Sequence, residues 1–176
     1  MEDDQVVLVD QADNSIGQMG KIEAHQRGQL HRAFSILIFN QQGELLIQKR
    51  SSNKYHSAGL WANTCCSHPR PDETIQAAAH RRLAEEMGFD CHIREVTSFI
   101  YKTFFDNGLC EHELDHVLIG EYDGKIEPDA NEVSEWKYIS LDDLRVSLVR
   151  SPHLYTEWFK LIFSKFLSCP NFAFPD

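Results

Sequence analysis

Apolar residues gather along this chain into short runs with the length and make-up of strands. Val6 to Val9 is one, and Ala33 to Phe39 is a longer one, rich in β-formers and too short for an ordinary helix. Asn40-Gln41-Gln42-Gly43 follows with turn chemistry, which predicts that Glu44 to Gln48 returns as the second arm of a hairpin. Between Asp72 and Met87 the period changes. Ile75, Ala78, Ala79, Leu83 and Met87 recur at helical spacing, and Gly88 stands where a helix stops. Val96 to Phe105, Leu114 to Tyr122 and Val133 to Ile139 predict three further strands, and Ser140 to Val149 a short helix. A last helix is predicted to open at Ser151-Pro152, a cap followed by proline in the first turn, with Phe159, Ile162, Phe163 and Phe166 as its apolar face. Strands before and after a central helix, closed by C-terminal helices, point to an α/β fold with a mixed sheet sandwiched between helices.

The 176 residues contain no repeat, low-complexity tract or linker, so residues 1–176 read as a single domain. Seventeen Lys and Arg against twenty-seven Asp and Glu give a net charge of −10, which disfavours general affinity for nucleic acid or anionic membrane. An anionic substrate must therefore find a local basic patch. No run approaches the roughly 18 apolar residues of a membrane span. The start, Met1-Glu2-Asp3-Asp4-Gln5, lacks the layout of a signal peptide, so the expected location is cytoplasmic. The five cysteines, at 65, 66, 91, 110 and 169, are odd in number, and in a reducing compartment they read as free, ligating or reactive thiols.

Asn63-Thr64-Cys65-Cys66-Ser67-His68-Pro69 places a thiol two residues before an imidazole in a polar segment closed by Pro69-Arg70-Pro71. Its two readings are a site loop and a pair of small buried thiols. His25 and His31 stand in a polar segment before the first long strand, and Glu111 and Glu113 at i and i+2 project from one face of a strand while His112 points away. Three imidazoles and two carboxylates suit zinc, manganese or iron. On the central helix Arg82 and Glu86 share a face, either as a surface ion pair or with the carboxylate free to hold magnesium. Lys21, Lys49, Arg50 and Lys54 are surface cations singly, and together they are candidates for gripping a diphosphate.

The segment 67–89 resembles a Nudix box, G-x5-E-x7-R-E-U-x-E-E-x-G-U with U apolar, matched here by Glu73, Arg81, Leu83, Glu85, Glu86, Gly88 and Phe89. Two positions depart: Ser67 replaces the first Gly and Arg82 replaces the Glu after Arg81. Hydrolysis by ordinary Nudix enzymes gathers several acids around magnesium, so the departures argue against it. Taken with the Cys-Ser-His-Pro loop, the Glu-x-Glu strand and the upstream histidines, the chain from about Lys21 to Trp158 resembles the type I isopentenyl-diphosphate delta-isomerases of the Nudix superfamily.

That resemblance implies metal ligands at His25, His31, His68, Glu111 and Glu113, a catalytic thiol at Cys66, and a partner acid at Glu113 with Tyr101 beside it. It implies that Glu86 holds a magnesium ion bound with the substrate diphosphate, and that Lys21, Arg50, Lys54, Ser67 and Arg82 line the diphosphate end. Trp158 would face the hydrocarbon, with Trp61 a weaker choice, and Cys65 has no role. The ion at the His/Glu site is left open among manganese, zinc, magnesium and iron. A small isoprenoid diphosphate is the implied substrate, with no nucleic-acid or membrane partner. Moving a double bond through a tertiary cation needs one acid and one base. Cys66 would serve as a thiolate if nearby cations or a metal lower its pKa from about 8.5. Two other readings remain: a Nudix pyrophosphohydrolase, which has no need of Cys66, and a non-catalytic metal-binding or thiol-sensing module.

Overall fold

A computed structural model describes residues 4–168 of the chain. It begins with β1 (Gln5–Val9), β2 (Ser15–Gly20), α1 (Lys21–Arg27), β3 (His31–Phe39), β4 (Leu45–Arg50), β5 (Trp61–Ala62) and β6 (Cys65–Ser67). It continues with α2 (Ile75–Met87), β7 (Ile93–Phe104), β8 (Cys110–Glu121), β9 (Val133–Ile139), α3 (Leu141–Arg150) and α4 (Glu157–Ile162). The strands form one mixed sheet in which β3 is the hub: it pairs antiparallel with β1, β4 and β6, and parallel with β8. The parallel pairing joins His31 to Glu113 and Ser35 to Val117.

Alternation along β3 divides the core. Phe34, Ile36 and Ile38 pack with Ala78, Ala79, Leu83 and Met87 of α2 on one face. Leu37 and Phe39 pack with Leu144 of α3 and Trp158, Phe159 and Ile162 of α4 on the other. The expected helix–sheet–helix layering is therefore observed.

The strands expected at Val6, Ala33, Glu44 and Val133 form within a residue or two of those positions, as does the Ser140 helix. Between the α2 boundaries the local chemistry is decisive. The Thr74 hydroxyl accepts from the Ala77 amide at 3.1 Å, so the helix starts later than Asp72. Gly88 ends it at φ +74°, and a Cβ there would lie 2.1 Å from the Glu127 carbonyl oxygen.

The expected helix start at Ser151-Pro152 is corrected. Pro152–Leu154 makes only a 3-10 turn. Tyr155 then extends to bridge Trp61 and hydrogen-bonds Ser147 through its hydroxyl, so the helix restarts only after Thr156. Tertiary pairing overrides the local cap. β2 and α1, unheralded by apolar patterning, carry Lys21 and His25 and end at Gly28. Cys169 lies outside the described residues, among which no helix is long and apolar enough to cross a membrane.

Candidate active site

The sheet register assembles one cleft, which Trp158 of α4 and Arg82 and Glu86 of α2 also line. His31, Ser35, Glu111, Glu113 and Tyr101 are presented by β3, β8 and β7, with Tyr101 paired to Glu113. Cys66 arrives on β6 opposite Ser35. Adjacent residues on a strand face opposite ways, so Cys65 is fully buried among α2 side chains while Cys66 meets the cleft. His112 turns away and its ring meets the Gly28 carbonyl, as the i, i+2 pattern requires.

At the more buried end His25 and His31 are inaccessible to solvent. Their Nδ1 atoms donate to the carbonyls of Lys21 (2.7 Å) and Gln29 (2.8 Å), which leaves each Nε2 as a lone pair facing inward. The ligand atoms of His25, His31, His68 and Glu113 all lie within 4.8 Å of one another. Glu113 Oε1 is 2.9 Å from His68 Nε2 and 3.4 Å from His31 Nε2. His25 Nε2 has no hydrogen-bond partner at all. Buried acceptors pointed at one another, one of them orphaned, fit a divalent cation. Glu111, the fifth residue implied by the resemblance, sits instead with His25 and His56, a histidine that no sequence signal singled out.

Tyr101 ties the two carboxylates together. Its hydroxyl lies 2.7 Å from Glu113 Oε2 and 3.1 Å from Glu111 Oε2, so each Oε1 is left to face the imidazoles. Burial, and then the adjacent Glu111 and Glu113, push the phenol pKa up and keep it a donor. Burial also raises the Glu111 carboxyl well above the usual range. It acts the same way on Glu113, but the His31 and His68 imidazoles set against it outweigh burial and hold that carboxyl well below. The two acids are thereby pushed apart in acidity.

Burial, and then the nearby Asp115, raise the pKa of the Cys66 thiol well above the ordinary value. Sγ donates to Asn63 Oδ1 at 3.1 Å and lies 3.3 Å from Ser35 Oγ, whose hydroxyl donates to Asp115 at 2.8 Å. Asn63, Ser35 and Asp115 were not among the expected site residues. A polar Ser35 and an acidic Asp115 inside otherwise apolar strand runs were their available signal.

The opposite end is cationic. Lys21, Arg50, Lys54, Ser67 and Arg82 all line the cleft with Glu86, which is 4% exposed. Arg82 pairs with Glu86 and Lys54 with Glu132, so the Glu86 carboxylate is buried beneath a half-buried Arg82. Gln48 adds an amide hydrogen bond to Glu86 at 3.2 Å. Burial lowers the Lys54 pKa to about 8 even though Glu86 works against it. The box residues Glu73 and Arg81 form a two-armed pair (2.6 and 2.7 Å), and Glu73 also accepts from the Arg70 amide, which clamps the loop onto α2.

Trp158 closes the cleft from α4, with the Arg50 guanidinium 5.1 Å from its ring centroid. Two expected residues fall elsewhere. Lys49 pairs with Glu135 at 2.6 Å on the outside of the sheet, and Trp61 lies on the edge strand under Lys49 and Lys137, because β5 turns its indole away from the cleft lining.

The NUDIX domain family model matches residues 29–159. Isopentenyl-diphosphate Delta-isomerase 2 of Photorhabdus laumondii is 54% identical over 91% of this chain and 90% of its own. Two such proteins from Aromatoleum aromaticum are each 48% identical over 95% of this chain, covering 88% and 94% of theirs. Among solved structures, a Deinococcus radiodurans protein superposes with TM-score 0.75 at 17% identity, covering 91% of this chain and 98% of its own. A MutT protein of Methanosarcina mazei superposes with TM-score 0.62 at 20% identity, covering 77% and 91%. These two matches speak for the fold alone. With the thiol, the paired acids and the cationic rim in one Nudix cleft, and with relatives of this identity along nearly its whole length, the chain belongs to the isopentenyl-diphosphate Delta-isomerases of the Nudix family.

Proposed function

We propose that the protein interconverts isopentenyl diphosphate and dimethylallyl diphosphate by adding a proton to one carbon and removing one from another. The observation that carries this reading is the pairing of a half-buried thiol, Cys66, with the Tyr101–Glu113 pair in a single cleft whose far end is cationic. An alkene is a very weak base, so the acid that protonates it must be shielded from water. The terminal methylene takes the proton and the positive charge appears at the tertiary carbon. A proton then leaves from the next carbon. Cys66 and the Glu113–Tyr101 pair are the acid and base. Trp158 offers an indole face to the intermediate charge, an attraction of about 2 kcal/mol when desolvated. An aromatic face there is also a poor nucleophile and resists alkylation.

Arg50, Lys54, Arg82, Lys21 and Ser67 grip the diphosphate, Arg through its planar fork and Lys as a point charge. His25, His31, His68, Glu111 and Glu113 would hold a divalent ion, manganese, zinc or magnesium, which when bound supplies the positive charge that the converging acceptors need. Glu86 would hold the magnesium that accompanies the diphosphate and neutralises it. The position of Cys66 in the cleft also speaks against the hydrolase reading, because an attack of water on phosphorus has no use for a thiol.

Turnover in heavy water tests the reaction class. Incubation of isopentenyl diphosphate with enzyme and magnesium should place deuterium on carbon while the diphosphate stays whole, as read by NMR and mass spectrometry. Phosphate release without carbon-bound deuterium would make the protein a hydrolase.

A further inference from the structure

An alkene carries no polar group that could draw a thiol into line, so the protein itself must aim Cys66 at the reacting carbon. A cysteine side chain without contacts spreads over several staggered rotamers. Ser35 lies directly opposite Cys66 in the antiparallel pairing of β3 and β6, so the two side chains stand side by side on one face. Its Oγ is 3.3 Å from Cys66 Sγ, and its hydroxyl donates to Asp115 Oδ2 at 2.8 Å. A hydroxyl has a single proton, so Ser35 turns lone pairs toward the sulfur. We propose that Ser35 is a positioning residue for the Cys66 thiol, its hydroxyl fixed in direction by Asp115. The proposal rests on the reading that Cys66 takes part in the proton transfer.

A second contact on the sulfur comes from Asn63, which the sheet holds rigidly. On this edge β3 pairs with β6 as far as Ile36 and with β4 at Phe39, and the side chains of Asn63 and Thr64 bond the backbone between those pairings. Thr64 Oγ1 accepts from the Ile38 amide at 3.0 Å and donates to the Leu46 carbonyl at 2.6 Å. Asn63 Nδ2 donates to the carbonyls of Ile36 (3.1 Å) and Cys65 (3.2 Å). With both amide protons committed to backbone, the Asn63 side chain has a fixed orientation, and Oδ1 is left to accept from Cys66 Sγ at 3.1 Å. The thiol is therefore held from β3 and from the β5–β6 connection at once.

Ser35 and Asp115 are 2% and 1% exposed, in strands otherwise occupied by residues such as Phe34, Ile36 and Val117. A polar side chain persists in such surroundings through its hydrogen bonds. Asp115 Oδ1 has no partner, so among the described residues Ser35 is the hydrogen-bond partner of this carboxyl, and Asp115 reaches the thiol through Ser35. The cations that grip the diphosphate lie at the other end of the cleft and touch none of these groups. An error in aiming the thiol should therefore appear in the rate of the chemical step rather than in substrate binding.

The competing role is structural: a buried hydroxyl that only stabilises the junction of β3, β6 and β8. Ser35→Ala should lower kcat by about 10²-fold, the cost of a ~1 Å misplacement, with KM for isopentenyl diphosphate little changed. Its crystal structure should show Cys66 Sγ turned to a second rotamer, and Ser35→Thr, which restores the hydroxyl, should recover most of kcat. In the Cys66→Ala background Ser35→Ala should lower the remaining rate by less than about twofold, since residues that act as a unit do not add. Where that remaining rate is too small to read, the position of the sulfur and the split between kcat and KM decide. Ser35→Ala leaves the Asp115 carboxyl buried without its partner, so the double variant Ser35→Ala, Asp115→Ala replaces it if circular dichroism shows misfolding, and it should lose no more activity than the single one. An unmoved sulfur, a loss confined to KM, or equal losses with and without the thiol overturns the positioning role and leaves that of Cys66 intact. Additive losses from Ser35→Ala and Asp115→Ala overturn the link between those two residues. A wild-type rate in Cys66→Ala overturns the acid–base reading itself.

Discussion

At the buried end of the cleft, His25 Nε2, His31 Nε2 and Glu113 Oε1 converge as acceptors, whereas at the other end Lys21, Arg50, Lys54 and Arg82 converge as donors, with Asp4, Glu85, Glu86 and Glu132 as their acidic partners. One end gathers acceptors and the other gathers donors. The ends also differ in access to water: both histidines are fully buried, while Lys21, Lys54 and Arg82 keep about a fifth to a quarter of their side chains exposed. Unpaired acceptors in a dry interior are costly, so the buried end needs a ligand that stays with the protein. Cations at a wetter rim tolerate being unfilled, which suits a substrate that must come and go.

That division can be broken at several points. Cys66→Ala should lower turnover by about 10²- to 10⁴-fold, the range for losing a positioned acid. Cys65→Ala, one residue away but in the α2 core, should keep most of the activity and lose ~1 kcal/mol of stability. Equal activity losses with folding intact would show that the two faces of β6 are not functionally distinct. His25→Ala combined with His68→Ala should abolish stoichiometric metal content by elemental analysis, and retention of the ion would end the account of the buried end.

A smaller effect is expected from Glu86→Gln. It should raise the magnesium concentration needed for diphosphate binding by about tenfold, the loss of a charged hydrogen bond being worth about 1.5–3 kcal/mol, and leave the buried ion in place. Loss of both metals together would mean that the two ends are one site. The smallest change is a pH effect at the rim. Lys54 is protonated in the free protein below about pH 8 and neutral above it, so kcat/KM should fall as pH rises through that value. Bound diphosphate favours the charged form and raises this pKa, so kcat should hold to higher pH. Lys54→Arg should remove the alkaline fall in kcat/KM, since arginine stays charged.

Much of the architecture was legible from local pattern. The strands at Val6, Ala33 and Val133 follow from apolar runs and the end of α2 from Gly88, because each rests on steric or burial preferences that a few adjacent residues satisfy. The segment Ser15 to Arg27 was not legible. β2 has exposed or half-exposed residues except Gly20, and α1 buries only Ala24 and His25, so neither writes an apolar period into the chain. The last helix failed for the opposite reason: Ser151-Pro152 carried a good local signal, and pairing of Tyr155 with Trp61 overruled it.

The same division runs through the site. Residue types and spacing alone determined that a thiol precedes an imidazole by two residues, that Glu111 and Glu113 share a strand face and that Arg82 reaches Glu86, since all are matters of one element's geometry. Only the tertiary structure decided that burial raises the Cys66 pKa, that Glu86 is buried beside Arg82, that Asn63, Ser35 and Asp115 surround the thiol, and that His56 joins Glu111. Acidity and coordination depend on which groups from distant strands are brought within a few ångströms and on how much water is excluded from among them. Neither quantity exists until β3, β6 and β8 lie side by side.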